Sequence, residues 1–420
     1  MTARLNASLS VIARGLSRGL ILCLVLALAP AVAAAASHSA QGKAQDESEK
    51  PAYWSWFKYS PDVLDDWLVS EADGNLKRVE IRRKMAAADS EKYRVLVVYP
   101  RPSSAYDTAI SKILHVFADK DFSAAFTVVN FEKQDARGEA VLRLAEDQDY
   151  DLIFSMGSES TAWLYNNYQG GAIPVVSVCS KDPVQLGQMP DYKSGSGTNF
   201  AFTSLNMPIE AQMAYVLELK PDLKNIGVLV DRKNVSAMET QAKPVAEFAR
   251  RRGIQVIDLL VTDPKKADEQ LAKLVPQAVA AMRKNDPYLG ESVFWITGST
   301  SVFNEIATIN EHADRVPVLS VVPEVVTAGD DSAVLSVGIS FQSNAHLAAI
   351  YGTDVLSGRA KVGDLKVGVV SPPDIAINFR KAREIGLRIP FGFFESASFI
   401  YDYEGQIVRN NGKTVTPDDG

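Results

Sequence analysis

The feature that most limits what this chain can fold into is a duplication, in which one pattern of strand, loop, helix and strand runs twice. In the first copy, YDLIFSMGSES carries an apolar run over 152–156 into Gly157-Ser158-Glu159-Ser160-Thr161, and IPVVSVCSKDP carries a second run into Cys179-Ser180-Lys181-Asp182-Pro183. In the second copy, ESVFWITGSTS and VPVLSVV do the same, with Gly298-Ser299 standing for Gly157-Ser158 and Val316-Pro317-Val318 for Ile173-Pro174-Val175. Strands upstream correspond as well, YRVLVVYP at 93–100 with NIGVLVDR at 225–232, and AFTVVNF at 125–131 with IQVIDLLV at 254–261. Short apolar runs bounded by turn residues read as buried strands. A repeat of this length is too large for a solenoid unit. The expectation is an α/β protein of two doubly wound Rossmann-like lobes, joined by a hinge and facing each other across a central cleft.

With 420 residues, 46% of them hydrophobic, the chain can fill two such cores. Its start is different in kind. Arg4, Arg14 and Arg18 precede the apolar stretch 19–36, which ends Ala34-Ala35-Ala36-Ser37. A basic head, an apolar middle and small residues at the end describe a cleavable export signal over 1–36, hence a periplasmic protein. Cleavage leaves 41 of the 44 basic residues against 51 acidic ones, a net charge of about −10, which argues against nucleic acid as a partner. It also leaves Cys179 as the one remaining cysteine, so the fold has no internal disulfide to rest on.

Taken in order, 37–50 is a polar spacer, and with the aromatic-rich segment 51–76 it forms an N-terminal extension over 37–90. Tyr53, Trp54, Trp56, Phe57, Tyr59 and Trp67 are read as a strap packed on a lobe, the other reading being a docking patch. Lobe 1 is expected from 91–205 with 330–362, lobe 2 from 206–329 with 363–392, and a C-terminal extension from 393–420 outside both.

Enzyme motifs are missing from the sequence. His38, His115, His312 and His346 have no metal-ligand spacing, and no nucleophile elbow, P-loop or dinucleotide fingerprint follows a strand. No metal, cofactor or catalytic residue is therefore expected. Binding is better represented, because ligands of open α/β sheets sit outside the carboxyl ends of the strands. That rule collects Ser103, Ser104 and Tyr106 after the first strand of lobe 1. It adds Gly157, Ser158, Ser160 and Thr161 at the first repeat loop, and Ser180 and Asp182 at the next corner. From lobe 2 it collects Asp231, Asn234, Thr297, Ser299 and Glu324. Hydroxyls and helix-start N–H groups suit an anionic group on a ligand, Asp182 suits an ammonium or hydroxyl, and Tyr106 suits a wall.

Several of these stretches resemble the periplasmic substrate-binding proteins of ABC transporters, in the branch grouped with tryptophan and tyrosine transport. The resemblance rests on Asp151-Leu152-Ile153 before Gly157, and on Ile173-Pro174-Val175-Val176 leading to Asp182-Pro183-Val184 and Gly187. It continues through Gly197-Thr198-Asn199, Leu217-Glu218-Leu219-Lys220-Pro221 before Ile226-Gly227-Val228-Leu229, Val316-Pro317-Val318, and Gly386-Leu387-Arg388-Ile389-Pro390. It implies a type 1 periplasmic-binding fold that closes on a small solute, an amino acid or related acid, and presents it as a monomer to an inner-membrane permease. A sensor that docks on a membrane receptor through the aromatic extension is the alternative. Gly157-Ser158-Glu159-Ser160 and Cys179-Ser180-Lys181 depart from that family's usual residues, and Glu159 adds an acid near the cleft.

Overall fold

The computed structural model describes residues 51–415 apart from 73, 75 and 85–91, so the segment 1–36 expected to be an export signal lies outside the described residues. The chain divides into Met1–Ala52, of which only Pro51 and Ala52 are described, and the compact unit Tyr53–Gly420, which holds the sheets.

Most residues of the apolar runs are buried, the run of 255–261 excepted, where only Leu259 and Val261 are, and each run is a parallel strand. In the first sheet, β3 (Tyr93–Tyr99), β4 (Ala124–Asn130), β5 (Leu152–Met156), β6 (Val175–Val178) and β7 (Phe200–Ala201) lie in the order β4-β3-β5-β6-β7. After β8 (Thr203–Ser204), the second sheet repeats this with β9 (Asn225–Asp231), β10 (Gln255–Val261), β11 (Ser292–Ile296), β12 (Val318–Ser320) and β13 (Leu335–Gly338), in the order β10-β9-β11-β12-β13. Both are the doubly wound order 2-1-3-4-5, whose switch point between the first and third strands opens at the carboxyl ends. The strand equivalences read from the duplication hold pair by pair.

Three expectations about the edges fail, for one physical reason: an open sheet leaves unpaired backbone that the rest of the chain covers. The segment expected to be an N-terminal extension forms β1 (Trp67–Glu71) and β2 (Lys77–Arg83), an antiparallel hairpin that joins the first sheet alongside β4. Val79 and Ile81 alternate inward with Trp67, whose ring meets Phe126 edge-on at 5.5 Å. Residues 393–420 were expected outside both lobes, yet β16 (Phe399–Tyr401), β17 (Ile407–Asn410) and β18 (Lys413–Thr414) extend the second sheet beyond β15 (Asp374–Asn378). The strand expected in lobe 1 from 330–362 is β13, in the second sheet. Its buried apolar run 333–339 has both backbone edges paired there, by β12 on one side and β15 on the other.

The aromatic extension packs inward. Tyr53, Trp56 and Phe57 are buried, with Trp56 edge-on to Tyr99 at 6.3 Å and Phe57 tilted against it at 6.1 Å, so these rings offer no docking face. Three passages join the lobes. The chain leaves lobe 1 after β8 and returns after β13, where the helix Phe341–Leu356 packs on the lobe 1 helix Ser104–Asp119. It then pairs β14 (Gly368–Val369) with β8 before entering the second sheet at β15, so the start of 363–392 stays with β8 rather than in lobe 2. Among the described residues no helix is long and apolar enough to cross a membrane.

Candidate ligand-binding cleft

The carboxyl ends of both sheets face one another, and between them lies a cavity of about 50 Å³. Its lobe 1 wall comes from Arg101, Ser103, Tyr106, Ser158, Glu159 and Lys181. Its lobe 2 wall comes from Asn234, Ser236, Gly298, Thr300 and Phe303, with Leu205 and Phe341 beside the connecting segments. That volume holds a few waters and no more, so the lobes are nearly shut. Beside it a side mouth of about 250 Å³ opens past Ser158, Glu159, Asn234 and Ser236 toward Leu186 and Val235. Larger grooves exist, including one of about 890 Å³ between the helix Phe341–Leu356 and the β17–β18 turn, but none brings the repeat loops of both lobes together.

Both repeated glycines lie in close contact with side chains at the cleft. Gly157 begins the helix Gly157–Tyr168 at φ 76°, a left-handed value that favours glycine, and a Cβ there would overlap the Tyr106 hydroxyl. Gly298 is its counterpart, where a Cβ would overlap Lys181 Nζ reaching across from lobe 1. Tyr106 is itself fixed by Tyr99, whose hydroxyl donates to the Tyr106 carbonyl at 2.9 Å while the rings meet edge-on at 5.3 Å.

Charge at the cavity is arranged as follows. Arg101 Nε donates to Glu159 at 2.8 Å, and Lys133 Nζ holds the other oxygen of the same carboxylate. Burial works to raise Glu159, but Arg101 and Lys133 outweigh it and hold the carboxyl below its usual value. Burial works against the charge of Arg101 too, and Tyr106 and Glu159 beside it keep it above its ordinary value. Lys181 has no such neighbour. The residue is 7% exposed, its Nζ makes no hydrogen bond or ion pair among the described residues, and burial drives its pKa down to about 8. The corner that carries it is tightly held. Cys179 adopts φ 52°, its N–H donates to Asn344 Oδ1 at 2.7 Å, and Lys181 N–H donates to Ser158 Oγ at 2.9 Å.

Of the residues expected to bind, Ser103, Tyr106, Gly157, Ser158 and Asn234 line the cavity. The others do structural work or face elsewhere. Ser160 donates to the Val98 carbonyl at 3.1 Å and Thr161 to the Gly157 carbonyl at 2.9 Å, both buried under the sheet. Ser180 points at Ser158 Oγ, 3.4 Å away, and Ser104 lines an outer groove. Asp182 caps the turn after it, accepting from the N–H groups of Val184 and Gln185 at 2.9 and 3.1 Å and from the Tyr192 hydroxyl. Asp231 accepts from Lys233 N–H and Ser301 Oγ, both at 2.8 Å, and Thr297 donates to the Leu229 carbonyl at 3.0 Å. Ser299 Oγ accepts from Asp231 N–H at 3.3 Å. Glu324 accepts from Phe341 N–H at 2.6 Å, at the passage between lobes rather than on the cavity wall.

Sequence reasoning passed over Arg101, Lys181, Phe303 and Phe341. The first two sit in loops placed on the cleft, but a preference for small hydroxyls as ligand contacts hid them. The signal for Lys181 was its setting, a lone cation between a buried strand and Asp182-Pro183.

A profile of the family described as ABC transporter substrate binding protein matches residues 101–398. A search of curated protein sequences returns no match. Among solved structures, a conserved domain protein from Vibrio cholerae is 18% identical with a TM-score of 0.58, covering 73% of this chain and 99% of its own. A domain from Streptococcus pneumonia in complex with L-Trp is 19% identical with a TM-score of 0.58, covering 74% and 100%. The ligand-free, open structure of CD0873 from Clostridium difficile, a substrate binding protein with adhesive properties, is 18% identical with a TM-score of 0.55, covering 73% and 98%. At these identities the likeness is one of fold.

Proposed function

Because the chain belongs to the ABC transporter substrate binding protein family, we propose that it is an exported protein that captures a small polar solute between its lobes and delivers it to an ABC permease. Export rests on the leader-like segment 1–36, and the solute is an amino acid or a related small acid. The observation that carries the reading is that repeat loops from both lobes converge on one small cavity, with Arg101, Glu159 and Lys181 in its wall. A site divided between two bodies binds tightly only when they close, so the solute shifts an open-closed equilibrium and the closed surface is what a permease distinguishes. The L-Trp held by the pneumococcal neighbour supports a solute of that size class. For it to enter here the lobes must part, since the cavity of about 50 Å³ cannot accept an indole. Nothing in this reading calls for turnover.

The test is the thermal midpoint of the purified chain against amino acids, small carboxylic acids, sugars and nucleosides. A ligand that binds the folded state alone at a hundred times its Kd adds about 2.7 kcal/mol. At least one class is expected to raise the midpoint by several degrees. A flat response across all four overturns the reading.

A further inference from the structure

Resting on that cleft as the solute site, we propose that the solute is an anion without an ammonium group, a small carboxylate or similar oxyanion, whose negative group pairs with the Lys181 ammonium. Charged side chains in the cavity wall number three, Arg101 and Lys181 positive and Glu159 negative. Glu159 is already shared between Arg101 and Lys133. Lys181, a residue 7% exposed, thus brings its ammonium against the opposite lobe at Gly298 with no counter-ion among the described residues. A buried charge without a partner is costly, and a site that keeps one is matched to a ligand that supplies the partner.

The same wall disfavours a zwitterion. The ammonium of an α-amino acid pairs best with a free carboxylate, and the carboxylates near the cleft are engaged; the buried unpartnered acceptor in the wall, among the described residues, is the neutral Ser103 hydroxyl. Both oxygens of Asp182 and both of Asp231 already accept hydrogen bonds. Glu324 keeps one oxygen unpartnered, but that atom is buried and lies outside the cavity wall. An acid lacking the amine leaves neither side unpaired.

Calorimetric titration of the full chain and of Lys181→Met with matched probes tests this: 3-phenylpropionate, L-phenylalanine and phenethylamine, then propionate, L-alanine and ethylamine, with D-glucose as a neutral probe. One of the two acids is expected to bind at least as tightly as its amino acid, with no binding of its amine. Lys181→Met is expected to weaken that acid roughly twentyfold or more, the loss typical of truncating one partner of a buried charge pair. Tighter binding of the amino acid than of its acid, or an acid affinity unmoved in Lys181→Met, overturns the proposal. Binding of D-glucose with neither acid bound also sinks the anion and leaves the solute cleft standing. No binding of any probe, together with a flat thermal response, removes both. The thermal midpoint of Lys181→Met without ligand reports that the variant folds.

Discussion

Between about pH 5 and 7 the Glu324 carboxyl costs the ligand-free protein about 2 kcal/mol of stability, a loss that Glu324→Gln removes. Burial raises the Glu324 carboxyl from 4.5 to about 7. One of its oxygens accepts from Phe341 N–H, while the other is buried without a partner. For an acid whose folded value is raised, the contribution is whole below 4.5. It is lost as pH rises through 7, because over that interval the unfolded chain releases the proton and the folded chain retains it. Asp107, raised by burial to about 6, acts in the same sense, so the informative quantity is the difference between parent and variant. Glutamine keeps the acceptor for Phe341 and does not titrate. Denaturant melts at pH 4.5 and pH 8 are expected to give similar stabilities at the lower pH and a more stable variant at the higher. Parallel profiles contradict the assignment.

Lys181→Met is expected to stabilise the ligand-free protein by about 3 kcal/mol at pH 7 while it impairs binding. Lys181 is lowered by burial from 10.5 to about 8. Below pH 8 both folded and unfolded chains carry the proton, and the folded chain bears the full cost. Between pH 8 and 10.5 only the unfolded chain still binds it, so the parent gains stability as pH rises and the methionine variant lacks that gain. Denaturant melts of both proteins from pH 7 to 10.5 check it. A variant less stable than the parent at pH 7 would mean that the ammonium has a partner in the folded chain. A group that costs stability and sits where two bodies meet is what a binding site retains.

The sequence made the interior legible because buried parallel strands leave uninterrupted apolar runs, and duplication allowed each run to be checked against its twin. Leu152–Met156 and Ser292–Ile296 became β5 and β11 with the same neighbours in their sheets. The edges were hidden. Whether Lys77–Arg83 or Phe399–Tyr401 pairs with a given sheet depends on which edge stays free once the parallel core is built, and no local pattern records that. The loops of the site were legible for the same reason as the strands, since strand ends fix where they lie. Which side chains turn into the cavity was not. Ser160 and Thr161 turn down to the carbonyls of Val98 and Gly157, a choice set by the helix register of Gly157–Tyr168. The setting of Lys181 before Asp182-Pro183 was legible, but its reach across to Gly298 was not.

The account stands or falls on solute being held by loops of both lobes at once. Amide hydrogen exchange, with and without the most stabilising solute found, measures this directly. Slower exchange is predicted in 101–106, 157–161 and 179–182 of lobe 1 together with 234–241 and 298–303 of lobe 2. Protection confined to one lobe, or found instead along 342–347 and 410–415 in the larger outer groove, would contradict it.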